Sequence, residues 1–217
     1  MNSKKRNFLI SAILILAAIG FTILVKVVDV KQVGVNGTYI GFATINQFVF
    51  EFIGVNMIWY HITDWLGIVP ILMAMAYALI GLIQLIKRKS LFKVDKEIIL
   101  LGLFYIVVIV LYVFFEKVIV NYRPILMDGF LEASYPSSHT LMTICLCGSS
   151  IIINRKIFNN KLTKIMNIMS FFIIVITILG RLISGVHWFT DIIGGIFISL
   201  ALLMNLYLLI DAIKKEE

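Results

Sequence analysis

Gly180-Arg181-Leu182-Ile183-Ser184-Gly185-Val186-His187-Trp188-Phe189-Thr190-Asp191 is the stretch on which the reading of this chain turns. Apolar runs flank it, roughly residues 165–183 before it and 188–210 after it. Each run approaches the ~20 residues needed to cross a bilayer, so the stretch reads as the turn between two spanning helices. Into that hydrocarbon it places an arginine, a histidine and an aspartate. Ionisable groups in such a setting are costly and are functional candidates by default. His187 and Asp191 are four residues apart, a spacing that puts them on one helix face within reach of each other. A carboxylate that holds an imidazole in one tautomer prepares it as a base or a nucleophile. Arg181, six positions earlier across Ser184-Gly185, supplies a fixed cation for an anionic substrate.

The bulk composition agrees with a membrane setting. The chain is 61% hydrophobic and 14% charged, with a mean hydropathy of +1.02. Soluble domains carry about 25% charged residues, so a polytopic membrane protein is expected, with residues 1–217 as a single domain. Cys145 and Cys147 stand two apart in an apolar run with no histidine nearby, and read as buried small hydrophobes.

Working outward, Lys4, Lys5 and Arg6 precede an apolar run over residues 8–28 that reads as a retained signal-anchor. Asn36-Gly37 predicts a small hairpin turn, which also accounts for the Asn36-Gly37-Thr38 sequon. Phe48, Phe52, Val55, Trp59 and Ile62 step by three and four, predicting one amphipathic helix at the membrane surface over residues 48–62. Spans are then expected at about 67–86, 97–115, 139–153, 165–183 and 188–210. The fold class is therefore all-α, an integral membrane bundle of six transmembrane helices plus the surface helix.

Positive charge orients the bundle. The amino-terminal tail, residues 87–96, residues 154–164 and the carboxy-terminal tail hold three, five, four and two Lys/Arg, 14 of the 19 in the chain. This bias puts both termini in the cytoplasm. Lys26, Lys31, Lys117, Arg123 and Arg181 fall at or near the outer side, and Trp59, Trp65 and Trp188 are expected in an outer aromatic belt. The net charge of +7 is thus mostly topological, and nucleic-acid binding has no further support. The Ile-, Lys- and Asn-rich composition is compatible with an AT-rich bacterial source, which makes the membrane a bacterial inner membrane.

The polar residues collect on that outer side. The loop between the third and fourth spans contains Lys117-Val118-Ile119-Val120-Asn121-Tyr122-Arg123-Pro124 and then Tyr135-Pro136-Ser137-Ser138-His139. Proline favours the first helical position, so a helix is expected to start at Pro136. The N–H groups of Ser137, Ser138 and His139 would then be unpaired, a ready anion site, with His139 beside it as a proton donor. Asp128 and Glu132 read as solvated loop charges, and His61 as an interfacial histidine outside the site. No cluster of His, Asp and Glu has the makings of a metal cage, and no cofactor is implied. Such a cation-rich site suits metal-free phosphoryl transfer, in which one histidine attacks and another protonates the leaving oxygen.

These segments resemble the signature of the type-2 phosphatidic acid phosphatase superfamily: Lys, six residues, Arg-Pro; Pro-Ser-Gly-His; and Ser-Arg, five residues, His, three residues, Asp. The corresponding segments here lie within 117–139 and 180–191, and the resemblance spans roughly residues 97 to 210. It implies that His187 is the nucleophile, forming a phosphohistidine, that Asp191 supports it, and that His139 is the general acid. Arg123, Arg181 and the backbone at Ser137 and Ser138 would hold phosphoryl oxygens. Neutral His187 and charged His139 then give a bell-shaped rate profile.

Three departures stand out. Ser138 replaces the motif glycine, which is tolerable if that residue is not at positive φ. Gly180 replaces a serine. Lys117 is six rather than seven positions before Arg123, and Glu116 occupies the motif place. On a regular helix, seven positions return to about the same face and six leave it about 100° away. Either the helix end unwinds, or Lys117 lies outside the site.

The leading functional expectation is a membrane lipid phosphatase acting at the outer face of the cytoplasmic membrane. Its partners would be a lipid phosphate substrate and membrane lipids, with no obligate protein partner. Phosphatidylglycerol phosphate, phosphatidic acid and polyprenyl diphosphate are the candidate substrates. The rivals are a phosphotransferase with an acceptor other than water, and a non-catalytic transporter or scaffold. A transporter would show an internal repeat or broken helices at mid-membrane, which the sequence lacks.

Overall fold

The computed structural model describes residues 3–155 and 160–213. Lys156, Lys214 and Lys215, counted among the cytoplasmic charges, lie outside the described residues. The fold is all-α. Its helices are α1 (Ser3–Val27), α2 (Ala43–Ile53), α3 (Met57–Leu66), α4 (Ile68–Arg88), α5 (Lys96–Lys117), α6 (Ser138–Ile153), α7 (Lys161–Ile183) and α8 (Phe189–Ile213). Five helical stretches are long and apolar enough to cross a membrane; Met57–Arg88 counts as one of them because α3 runs into α4. α6 is a shorter apolar helix of 16 residues, about 24 Å long at 1.5 Å per residue.

The shortness of α6 is explained by its place. It packs against α7, α8, α4 and α5, and Leu141, Cys145 and Ile153 sit in the main core with Leu101, Phe104 and Val108 of α5 and Leu206 and Ile210 of α8. A helix wrapped by helices need not match the bilayer thickness. Several of its polar groups find partners on neighbouring helices: Tyr77 Oη donates to Asn154 Oδ1 at 2.7 Å and lies 2.9 Å from Ser150 Oγ, and Ser199 Oγ of α8 lies 3.2 Å from the Leu141 carbonyl oxygen. Cys145 and Cys147 are free and buried.

Two expectations are corrected. The surface helix predicted over 48–62 is two helices, because Gly54 takes φ +72° and ends α2. Asn56 then restarts the chain, its Oδ1 accepting the N–H groups of Ile58 and Trp59 as an N-cap for α3. The break has a tertiary cause. The Asn56 N–H donates to the carbonyl of Ser184, and a Cβ on Gly185 (φ +67°) would lie 2.1 Å from the Gly54 carbonyl oxygen. Only glycine lets these two turns touch. The second correction concerns tryptophan. Trp65 is exposed, but Trp188 is buried, tilted against Phe50 with its indole N–H donating to the Tyr122 carbonyl at 2.7 Å. The predicted hairpin at Asn36-Gly37 is present in miniature, as an antiparallel bridge between Lys31 and Ile40 around a 3-10 turn.

Helix order fixes which ends meet. The carboxy-terminal ends of α1, α5 and α7 share one end of the bundle with the amino-terminal ends of α4, α6 and α8.

Candidate active site

The link from α5 to α6 doubles back on itself. Tyr122 bridges Ala133 and Met127 bridges Phe130 in antiparallel fashion, with Arg123 N–H donating to the Glu132 carbonyl and Ser134 N–H to that of Asn121. This narrow pairing brings Arg123 and Ser134 to the turn that carries His187.

The imidazole of His187 is buried. Its Nδ1 lies 3.1 Å from the Ser134 carbonyl oxygen and 3.1 Å from Ser134 Oγ. An Nδ1–H donated to that carbonyl leaves Nε2 unprotonated, its lone pair an acceptor, and this network assigns the tautomer. Nε2 lies 3.5 Å from Arg123 Nη1. Burial is the main force holding His187 well below the usual imidazole range. The positive charges of Arg123, Arg181 and His139 add to it, partly opposed by the Ser134 carbonyl. His187 is therefore a neutral base with its lone pair beside a guanidinium.

Asp191 reaches His187 only through an intermediary. Its Oδ2 is 4.0 Å from His187 Nδ1, beyond hydrogen-bond range, while Ser134 Oγ donates to that oxygen at 2.5 Å. The helical four-residue spacing does not apply, because His187 precedes the first turn of α8. Asp191 is the third residue of that helix and accepts the N–H of Trp188 at 2.9 Å, the reciprocal half of a capping box. Asn121 Nδ2 lies 3.3 Å from the other carboxylate oxygen.

The second histidine faces α3. His139 Nε2 is 3.0 Å from Asp64 Oδ1, and Arg181 Nη2 is 3.2 Å from the same oxygen. Arg181 is wholly buried, its guanidinium 4.8 Å from the centre of the Tyr60 ring. Its Nε and Nη1, together with Nδ1 of His139, are buried without a partner among the described residues.

Helix α6 starts two residues later than expected. Ser137 is its N-cap and Ser138 its first residue, so Pro136 lies outside the helix. The Ser137 N–H is also not free, since it donates to the Asp191 carbonyl at 3.0 Å. Ser137 makes no side-chain cap, so the N–H groups of Ser138 and His139 are the open donors at this helix start. Ser138 is not at positive φ, which meets the condition on its replacing glycine. Gly180 has a packing role: a Cβ there would stand 2.4 Å from Thr63 Cγ2 and 3.0 Å from the Trp59 ring. α3 leaves no room for a serine.

A cleft is lined by Ser134, Pro136, Ser138, His187, Glu116 and Tyr112. Lys117 is absent from it. That lysine ends α5 exposed, with no partner among the described residues. The register explains this, since α5 stays helical through Lys117 and it is Glu116, itself exposed, that borders the cleft. Glu132 is not merely solvated; its Oε2 lies 3.0 Å from Arg123 Nε, as an ion pair not aligned as a hydrogen bond. His61 is exposed at the edge of Tyr60, away from these groups.

Thus Arg123, Ser138, His139, Arg181, His187 and Asp191 meet at one end of the bundle, and Lys117 does not join them. Sequence reasoning missed Ser134, Asn121 and Asp64. Asp64 had a signal, as an acid at the end of a predicted interfacial helix; Ser134 and Asn121 had none beyond lying beside motif residues.

The fold and this cluster define a class: a multi-pass, all-α membrane protein with a histidine-centred cationic site at one end of its bundle. Residues 117–215 match the model of the PAP2 superfamily. No curated protein sequence matches the chain. Among solved structures, it is similar to a transmembrane PAP2-type phosphatidylglycerolphosphate phosphatase from Bacillus subtilis. The identity is 19%, the TM-score 0.54, and the match covers 100% of this chain and 98% of that one.

Proposed function

We propose that this protein is a membrane lipid phosphatase that removes a phosphoryl group from a lipid phosphomonoester or diphosphate through a phosphohistidine. The observation that carries the reading is the unprotonated Nε2 of a buried neutral His187 held 3.5 Å from Arg123 Nη1, with Arg181 and His139 acting on the same imidazole. A lone pair set among cations, with no carboxylate against it, suits attack on a phosphorus whose oxygens those cations neutralise.

In the first step Nε2 of His187 bonds to phosphorus, and the bond from phosphorus to the lipid oxygen breaks. His139 gives its proton to that oxygen. Arg123, the unpaired donors of Arg181 and the open N–H groups of Ser138 and His139 take the phosphoryl oxygens. The Ser134 carbonyl keeps Nδ1–H in place as positive charge develops on the ring, and Asp191 orients Ser134. In the second step a water, its proton passing to the now neutral His139, bonds to phosphorus as the bond from phosphorus to His187 Nε2 breaks, which frees phosphate and the imidazole. Activity is then bell-shaped in pH.

The lipid portion has a path. An apolar cavity of about 170 Å³ between α4 and α6 contains Ile68, Ile71, Met142 and Leu146, and has Asp64, Ser138 and His139 in its wall. A lipid oxygen at His139 would have its first methylenes there. The lysine and arginine distribution supports placing this end of the bundle at the outer face, with the termini and six spans as expected. The fold shared with the phosphatidylglycerolphosphate phosphatase puts that lipid first among those to test.

The test is phosphate release by the purified protein from phosphatidylglycerol phosphate, phosphatidic acid and polyprenyl diphosphate, with chelator present and His187→Ala in parallel. Release by the wild type alone is expected. No release from any of them, or equal release by the variant, would end the reading.

A further inference from the structure

The mechanism above leaves Asp64 unused, although its Oδ1 touches both His139 Nε2 (3.0 Å) and Arg181 Nη2 (3.2 Å). It comes from α3, outside the segment that matches the superfamily model. Its position is built by several contacts. Thr63 and Trp59 pack on Gly180, where no side chain would fit, and Gly67 lies so close to His139 that a Cβ there would stand 3.3 Å from ring carbon Cδ2. The Arg181 guanidinium stacks over Tyr60, one turn before Asp64. Helix α3 is thus held to the face of the imidazole by close backbone approach, and the carboxylate at its end meets one ring nitrogen.

We infer that Asp64 is the positioning residue for the general acid: by accepting the Nε2–H of His139 it fixes the tautomer, so that Nδ1 is the nitrogen that exchanges a proton with the substrate. The inference rests on the phosphatase reading. Nδ1 is the ring nitrogen left buried and without a partner among the described residues. In the first step the electron pair of the breaking phosphorus–oxygen bond stays on the lipid oxygen, which takes the proton from Nδ1. His139 is left neutral, with Nε2–H still donated to Asp64. In the second step Nδ1 takes a proton from the attacking water as its oxygen bonds to phosphorus and the bond from phosphorus to His187 Nε2 breaks, which restores the starting state. The Asp64 carboxylate keeps its charge throughout, much as a carboxylate orients a histidine without taking its proton.

The inference is separable from a purely structural role because an acid matters only when the leaving group needs a proton. The experiment compares Asp64→Asn with wild type on two substrates of equal chain length, an alkanol phosphate and the phosphate of an alkyl-substituted nitrophenol. General acid–base catalysis is worth about 10²–10⁴-fold. Loss of its positioning is expected to lower kcat on the alkanol phosphate about ten- to a hundredfold, and on the nitrophenol ester less than about threefold. Equal losses on both esters would mean that Asp64 serves packing or the hold of Arg181 on phosphate. A lower KM with unchanged kcat would mean that it competes with substrate. Either result overturns the inference.

A second measurement needs no turnover. The chain has three histidines, His61, His139 and His187, so in a His61→Gln background two remain, assignable with His187→Gln. In nitrogen-15 spectra at neutral pH, Asp64→Asn is expected to move the ring signals of His139 and leave those of His187. Unmoved His139 signals would overturn the inference even in a protein that hydrolyses nothing. Absent turnover by wild type on every ester, with those signals moved, would fault the phosphatase reading instead.

Discussion

Burial and the charges of Arg123, Arg181 and His139 act on the imidazole of His187 in one sense, toward the neutral form. The folded protein thus binds a proton there less readily than the unfolded chain, whose histidine titrates near 6.5. The stability held by neutral His187 is full above that pH and is lost as the pH falls below it. In a histidine nitrogen-15 titration, His187 should stay neutral through pH 6, and Arg123→Gln should raise its midpoint, because a repelling cation has been removed. A wild-type midpoint at the ordinary value would contradict this account. Lys117 offers a second check at this scale. It is exposed and partnerless among the described residues, whereas Arg123 faces His187. Lys117→Ala should keep kcat/KM within about threefold of wild type, while Arg123→Ala should lose about a hundredfold or more, as expected for removing electrostatic stabilisation of the transition state. Equal losses would put the lysine back in the site.

Helix α3 was expected to float on the membrane surface, and it is instead a wall of the site. The amphipathic pattern of residues 48–62 was legible, since those side chains do form helices, but their interruption was not. Nothing local predicts that Gly54 must meet Gly185, a contact across 131 positions of sequence. Gly180 illustrates the same limit. As a sequence feature it is a lost serine; in the fold it is the surface on which Thr63 and Trp59 rest. Gly180→Ser should therefore overpack this contact. A small-to-large change at a tight site costs about 1–3 kcal/mol, to be read as a lower unfolding temperature in detergent. Because the displaced helix carries Asp64, activity should fall too. A variant as stable and active as wild type would show that α3 is not seated there.

At the scale of the whole bundle, the ends of α1, α4, α5, α6, α7 and α8 that carry the site are opposite the ends followed by most lysines and arginines. Two exposed positions report on this arrangement: Phe92, 97% exposed between α4 and α5, and Phe130, 72% exposed at the tip of the 118–137 link. The native cysteines are buried, so single cysteines placed there can be followed. In intact cells a membrane-impermeant thiol reagent should label Phe130→Cys and spare Phe92→Cys. The reverse pattern would place the site in the cytoplasm.

By itself the sequence determined the all-helical membrane class and where the apolar helices lie, and it singled out the two histidines that the fold brings to one end of the bundle, because hydrophobic length and fixed motif spacing are local properties of a chain. It also raised the doubt over Lys117 from helix register alone. Only the tertiary structure decided that Ser134 stands between Asp191 and His187, that Asp64 meets His139, and that Gly180 is a packing surface. Those facts depend on where distant helices come to rest against one another, and close packing settles that through the shapes of all the side chains together.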